Sequence, residues 1–170
     1  MINKSACFLM PCLLFDIGLS SCLFSIASLA ADVVSVEKPT VLASNTFIYN
    51  PKTLRWTAID EHERVIRSGR GSGGRGYCPD IHRSCRTPTG TYHIISKGDA
   101  RCHSSRYPVG RGGAPMPYCM FFSKYYAVHG SPDVPAYNAS HGCVRVRPSD
   151  ARWLNHNFMH IGTKVVIKPY

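Results

Sequence analysis

Glycine and proline punctuation constrains this chain more than any other feature. The sequence holds 14 Gly and 12 Pro in 170 residues, and from Thr46 onward they cut the apolar runs into short pieces. Helix interiors tolerate neither residue well, so short strands joined by loops are expected. The glycines follow no three-residue period, which excludes a collagen-like chain. A hydrophobic content of 44% excludes a disordered one. The length suits one domain, or one domain and a processing segment.

Local patterns place the strands. Thr46 to Tyr49 reads as a strand closed by the turn pair Asn50-Pro51. Leu54, Trp56 and Ala58 alternate with Arg55 and Thr57, a half-buried strand. Asp60 to Glu63 is a polar turn, and Arg64 to Arg67 returns to form a hairpin. Residues 69–90 read as a flexible loop; Gly69 to Gly74 lacks the Gly-Lys-Ser/Thr ending of a phosphate loop. Thr91 to Ser96, Tyr118 to Phe122, Tyr125 to Val128 and Thr163 to Lys168 read as further strands. Pro148-Ser149-Asp150 resembles a helix start with Ser149 as N-cap, and Trp153, Leu154 and Phe158 give that helix a buried face. Short strands with one helix near the C-terminus predict a mostly β sandwich or barrel.

Residues 1–31 have the layout of a secretory signal peptide: Lys4, an apolar stretch from Ala6 to Leu29, and small residues at Ala30-Ala31. An uncleaved anchor is the alternative, although Asp16 would sit within the bilayer at a cost of about 2.5–3.5 kcal/mol. A lipoprotein signal at Cys22 is a second alternative, and the apolar residues after Cys22 speak against it. Residues 32–45 read as a lead-in. Cleavage would remove Lys4 and Asp16 and leave the formal charge of +10 unchanged. A surface of that sign favours anionic partners. Export without a nucleic-acid-binding motif makes nucleic acid a poor fit, and cleavage would leave no stable membrane insertion.

Five cysteines follow the leader: Cys78, Cys85, Cys102, Cys119 and Cys143. Oxidising conditions favour pairing, and an odd count leaves at least one thiol over. Four cysteines allow three connectivities; pairing of sequence neighbours, Cys78 with Cys85 and Cys102 with Cys119, is the expected one. Cys78, His82 and Cys85 are also close enough to suggest zinc, but zinc ligands come more often in tighter Cys-x2-Cys pairs. No metal is expected.

The chemistry concentrates in two places. His129-Gly130 ends a strand, and Ser140-His141-Gly142-Cys143-Val144-Arg145 follows a loop. A cysteine nucleophile needs a base to take its proton and N–H donors for the oxyanion that forms on attack. A cysteine after glycine can sit on a tight turn, and Arg145 adds a positive charge that lowers a thiol pKa or holds a carboxylate. The other histidines, His62, His82, His103, His156 and His160, read as solvated or structural side chains.

These residues resemble the L,D-transpeptidase catalytic domain, the YkuD family. The resemblance also takes in Arg86-Thr87-Pro88-Thr89-Gly90-Thr91-Tyr92, Met116 to Phe122, Asp150 to Leu154 and Gly162 to Ile167, and covers about residues 46–168. The extra cysteines depart from the family pattern. The resemblance implies a β-sandwich of mixed sheets with one short helix. It implies Cys143 as nucleophile, His129 as its base and the Gly130 carbonyl as the third member. It implies an oxyanion hole from the N–H groups of His141, Gly142 and Cys143. Arg145, Ser140 and Tyr118 would bind substrate. The implied substrate is a peptidoglycan tetrapeptide stem, cleaved before its terminal D-alanine and passed to an amine to give a 3→3 cross-link. That activity serves wall biogenesis and cell shape in the periplasm or cell envelope, with no metal or organic cofactor. A carboxypeptidase or cross-link hydrolase on the same scaffold, or a non-catalytic wall-binding protein, are the alternatives.

Overall fold

The computed structural model describes residues 44–170. The predicted signal peptide and most of the lead-in lie outside the described residues. Nine strands follow in chain order: β1 (Thr46–Asn50), β2 (Arg55–Ile59), β3 (Val65–Ser72), β4 (Gly90–His93), β5 (Ser96–Lys97), β6 (Met120–Phe121), β7 (Ala127–Gly130), β8 (Val144–Val146) and β9 (Lys164–Ile167). One helix, α1 (Pro148–Trp153), precedes β9 and continues as a wider π-helical turn through Phe158. Among the described residues no helix is long and apolar enough to cross a membrane.

The spatial order is β4-β9-β1-β2-β3-β8-β7-β6-β5, with β1/β9 and β7/β8 parallel and the other pairs antiparallel. The two edge strands, β4 and β5, are separated in sequence only by Ile94-Ile95. The sheet must therefore curl until its edges meet. The junction shows how: the Ile94 N–H bonds to Thr163 O beside β9, and the next N–H, from Ile95, bonds to Phe121 O on β6. What reads in sequence as one strand, Thr91 to Ser96, is two half-strands that hand the chain from one half of the sheet to the other.

Between the halves lies one core. Phe47 and Tyr49 of β1, Trp56 and Ala58 of β2, and Val165 and Ile167 of β9 meet Met120, Val128, Val144 and Val146 from the other half, with Leu154 and Phe158 after α1. Strands β1, β2 and β9 bury every second residue, so the period-two pattern of the sequence is the packing pattern. Strand β7 differs, being buried at all four positions. Helix α1 covers it so closely that a Cβ on Gly130 would lie 3.2 Å from Ala151 Cβ and 3.1 Å from Pro117.

The glycine-rich stretch corrects the sequence expectation. It does not begin as a loop at Gly69, because β3 runs on to Ser72 and bridges β2 to β8. Its glycines alternate for the same reason strand residues do. A Cβ on Gly69 would lie 2.8 Å from Trp56 Nε1, and Cβ atoms on Gly71 and Gly73 would lie 2.8 Å from the Tyr49 ring. Each is the absence of a side chain where an aromatic ring fills the space. Two smaller differences concern ends. Tyr118 adopts a left-handed φ of 58°, which confines the strand there to Met120–Phe121. Helix α1 takes Arg147 as its N-cap, without a side-chain bond, and Pro148 as its first residue, so Ser149 lies inside the first turn.

Both expected disulfides form, Cys78–Cys85 and Cys102–Cys119, and among the described residues Cys143 is the free cysteine. Each closes a short loop, a constraint worth about 2–3 kcal/mol in the chain-entropy account.

Candidate active site

Cys143 ends the turn that leads into β8, and His129 lies on β7, the parallel neighbour of β8. The register pairs Val128 with Val144 and His129 with Arg145. Continued one step back, it sets Cys143 beside Ala127, two residues from His129 on the same face of β7. Histidine and cysteine thus approach along adjacent strands. The thiol packs half-buried against Met116, Cys119, Ala127 and the Cys102–Cys119 region. Among the described residues its hydrogen bond runs to Tyr125 O, long at 3.9 Å, rather than to the imidazole.

The imidazole is fixed independently. His129 Nδ1 lies 2.9 Å from the carbonyl oxygen of Gly130 in a buried environment. A carbonyl only accepts, so Nδ1 carries the proton and Nε2 is left with its lone pair. Burial pushes the His129 pKa down to about 4; the Gly130 bond opposes this and the Arg145 charge adds to it. Burial also pushes the Cys143 thiol up, against the Ala127 backbone bond and Arg145. Near neutral pH both groups are therefore uncharged, a thiol beside a free base rather than a preformed ion pair.

The turn before Cys143 is held from below by the β3 extension. Ser72 Oγ donates to Tyr137 O and accepts from Ala139 N–H, and the Arg75 guanidinium bonds Ala139 O. The Ser140 N–H donates to Gly73 O, and Ser140 O accepts the Arg75 N–H. Inside the turn, Ser140 Oγ accepts the Gly142 N–H at 3.0 Å and donates to Cys143 O at 2.5 Å. Gly142 has φ +123°, and a Cβ there would lie 2.4 Å from the Tyr126 ring. Only glycine makes this turn under that ring.

A family model described as the L,D-transpeptidase catalytic domain, YkuD, matches residues 42–167. The chain belongs to this family. Its fold is similar to an L,D-transpeptidase from Xylanimonas cellulosilytica, at 30% identity and TM-score 0.62 over 76% of this chain and 62% of that one. It is similar also to an L,D-transpeptidase from Mycobacterium smegmatis, at 20% identity and TM-score 0.61 over 75% of this chain and 59% of that one. L,D-transpeptidase 3 from Mycobacterium tuberculosis, solved with a faropenem-derived adduct, matches at 23% identity and TM-score 0.59 over 74% of this chain and 60% of that one. The chain thus spans about 60% of the length of these solved structures. No curated protein matches it.

Against this YkuD frame, the residues singled out in the sequence divide. Cys143, His129, Gly130 and Arg145 come together on β7, β8 and the turn between them. Arg145 is already paired, its Nη1 lying 2.8 Å from Asp133 Oδ2. Two of the expected site residues have partners within the turn. The Gly142 N–H is taken up by Ser140 Oγ, whereas the His141 and Cys143 amides have no protein acceptor among the described residues. Ser140 is 2% exposed, and its hydroxyl staples the turn through the Gly142 N–H and Cys143 O. Tyr118 packs on the main core and edge-on to His156, whereas Met116 shares a cluster with Cys143. Sequence reading missed Asp80. Its carboxylate oxygens lie 2.8 and 3.0 Å from His141 Nε2, while Tyr107 stacks on the same ring at 4.3 Å. The 61-residue separation leaves no sequence signal for that pair.

Proposed function

We propose that the chain is an exported peptidoglycan L,D-transpeptidase, with residues 1–31 as a cleaved signal peptide, residues 46–168 as the catalytic domain and Cys143 as nucleophile. The observation that carries this reading is the fixed tautomer of His129. With Nδ1 donating to Gly130 O, Nε2 is the one ring nitrogen able to take a proton from the Cys143 thiol, the free cysteine beside it in the fold. Two disulfides in a short domain fit the oxidising cell envelope.

In this mechanism the Cys143 sulfur attacks the carbonyl of the third stem residue as His129 Nε2 takes the thiol proton. The neutral ground state makes proton transfer part of the attack. The N–H groups of His141 and Cys143 donate to the developing oxyanion. His129 then returns the proton to the nitrogen of the leaving D-alanine, and a thioester remains on Cys143. An acceptor amine attacks that thioester, His129 takes a proton from the amine and delivers it to sulfur, and the amide product leaves. Arg145, anchored by Asp133, supplies a fixed positive charge near both reacting groups and a contact for donor-stem carboxylates.

Incubation with a disaccharide-tetrapeptide should release D-alanine and yield cross-linked dimers, and a carbapenem should add its mass to the chain. Cys143→Ala should abolish all three, with a loss of at least about a thousandfold in turnover. Unchanged turnover in that variant would refute the nucleophile. Tripeptide monomers without dimers would assign the chain to hydrolysis in place of transfer.

A further inference from the structure

Next to the catalytic turn lies a second cluster, of side-chain atoms that the transfer reaction as written does not use. The sulfurs of Cys78 and Cys85 and a ring nitrogen of His141 all lie within 4.8 Å of one another. The sequence suggested His82 as the histidine of this group, but the fold turns His82 aside into a left-handed conformation and brings in His141, 56 residues beyond Cys85. We infer that, once the Cys78–Cys85 bond is reduced, Cys78, Cys85 and His141 form a binding site for one zinc ion.

Three observations carry this. First, the ligand atoms are nearly in place. Zinc holds sulfur at about 2.3 Å and imidazole nitrogen at about 2.0–2.1 Å, so a tetrahedral site has edges of about 3.4–3.8 Å. The nitrogen lies at most about 1 Å beyond that range, and the sulfurs, bonded to each other in the disulfide, move apart to about 3.8 Å once it is reduced. Second, the imidazole is already held on one of its two nitrogens. Asp80 holds Nε2 at 2.8 Å, which leaves Nδ1 to donate a lone pair. A carboxylate on the far nitrogen is the usual support of a metal-bound histidine. Tyr107 stacks on the ring and fixes its plane. Third, two thiolates and one imidazole select zinc over magnesium or calcium, which prefer oxygen. Three protein ligands leave the fourth position to water.

A dithiol of the thioredoxin class gives two electrons and two protons to the Cys78–Cys85 disulfide and becomes a disulfide itself. Binding of Zn2+ then releases both thiol protons, leaving two metal–thiolate bonds and one metal–nitrogen bond. In the oxidised chain the sulfurs are bonded to each other and the site does not exist.

The test uses the chain treated with a phosphine, freed of reductant under anaerobic conditions and titrated with Co2+. Expected are thiolate-to-cobalt charge-transfer bands and tetrahedral ligand-field bands that saturate at one metal per chain and vanish on addition of Zn2+. The oxidised chain should show neither. His141→Ala, which leaves both disulfides able to form, should weaken binding at least tenfold, and Asp80→Asn by about 10–100-fold. The Cys102→Ser/Cys119→Ser variant should keep the bands. As a second measurement, chain produced in a reducing cytoplasm should copurify with zinc, and Cys78→Ser should lose it. Absence of the bands in reduced chain, or their survival undiminished in Cys78→Ser/Cys85→Ser, would overturn the proposal.

Discussion

The β1–β2–β9 half of the sheet and the turn at residues 137–143 are held by different physics. The first is apolar burial: Phe47 stacks on Trp56 at 5.9 Å, and Val165 and Ile167 close over the same core. The second is almost wholly polar. Ser72, Arg75 and Ser140 fix it through backbone carbonyls and amides, and Asp80 holds its histidine. Burial is non-directional, so a core element tolerates small displacements; hydrogen bonds are directional, so the turn holds its amides at fixed angles. Stability and chemical geometry are therefore separable in this molecule, and substitutions should separate them.

The largest expected effect is on the apolar side. Trp56→Ala removes the ring that fills the space above Gly69 and should cost about 3–5 kcal/mol. Chemical denaturation should show the loss, while turnover per folded molecule stays near the parent value. Turnover that fell in folded protein as far as stability did would erase the distinction between the two regions.

His129 links them, being buried in β7 yet part of the site. Its pKa is about 4 in the fold against about 6.5 in the unfolded chain. The unfolded chain therefore binds more protons between these values, and stability falls as pH drops from about 6.5 to about 4, by roughly 3 kcal/mol at most. Above pH 6.5 the contribution is complete. His129→Gln should flatten that part of the stability profile. The same shift sets the acid limb of kcat/KM, which should fall near pH 4 and not near 6.5, because the base must be neutral. An acid limb near 6.5 would mean that the imidazole is hydrated in the working enzyme.

How much could be read from sequence follows the same division. Phe47, Trp56, Ala58 and Val165 were legible because period-two burial is written in neighbouring residues. The five-cysteine count and the glycine before Cys143 pointed to the thiol. Family resemblance supplied His129 and the expected oxyanion amides, and only the structure shows that the Gly142 N–H is bonded to Ser140 Oγ. The curl of the sheet was not legible. Ile94 and Ile95 look like mid-strand residues, and only their partners, Thr163 and Phe121, reveal a change of sheet half. The role of Gly69, Gly71 and Gly73 was hidden likewise, since a missing side chain signals a loop unless the opposing ring is known.

On the polar side, Gly142→Ala should act in the opposite sense to Trp56→Ala. A φ of +123° and a Cβ at 2.4 Å from Tyr126 impose strain of about 1–3 kcal/mol, less than the core truncation. The turn can relieve that strain by rotating, which moves the Cys143 amide and sulfur together. Carbapenem acylation should therefore slow by more than tenfold in protein that remains folded. Acylation at the parent rate would show that the turn's angles are not what positions the nucleophile.

Asp80→Asn should give the smallest change and the sharpest reading of the turn. The amide keeps a hydrogen bond to His141 and loses only the charge. The pair is partly exposed, so stability should shift by less than about 1 kcal/mol. If Asp80 merely supports the fold, acylation should follow that small shift and nothing more. If it aims His141, whose amide faces the oxyanion, acylation should slow by several-fold while the denaturation midpoint barely moves. Asp80→Ala, which removes the bond altogether, should slow it further. Equal acylation in Asn and Ala variants would place the His141 ring outside the machinery and leave its backbone N–H as the only part that chemistry uses.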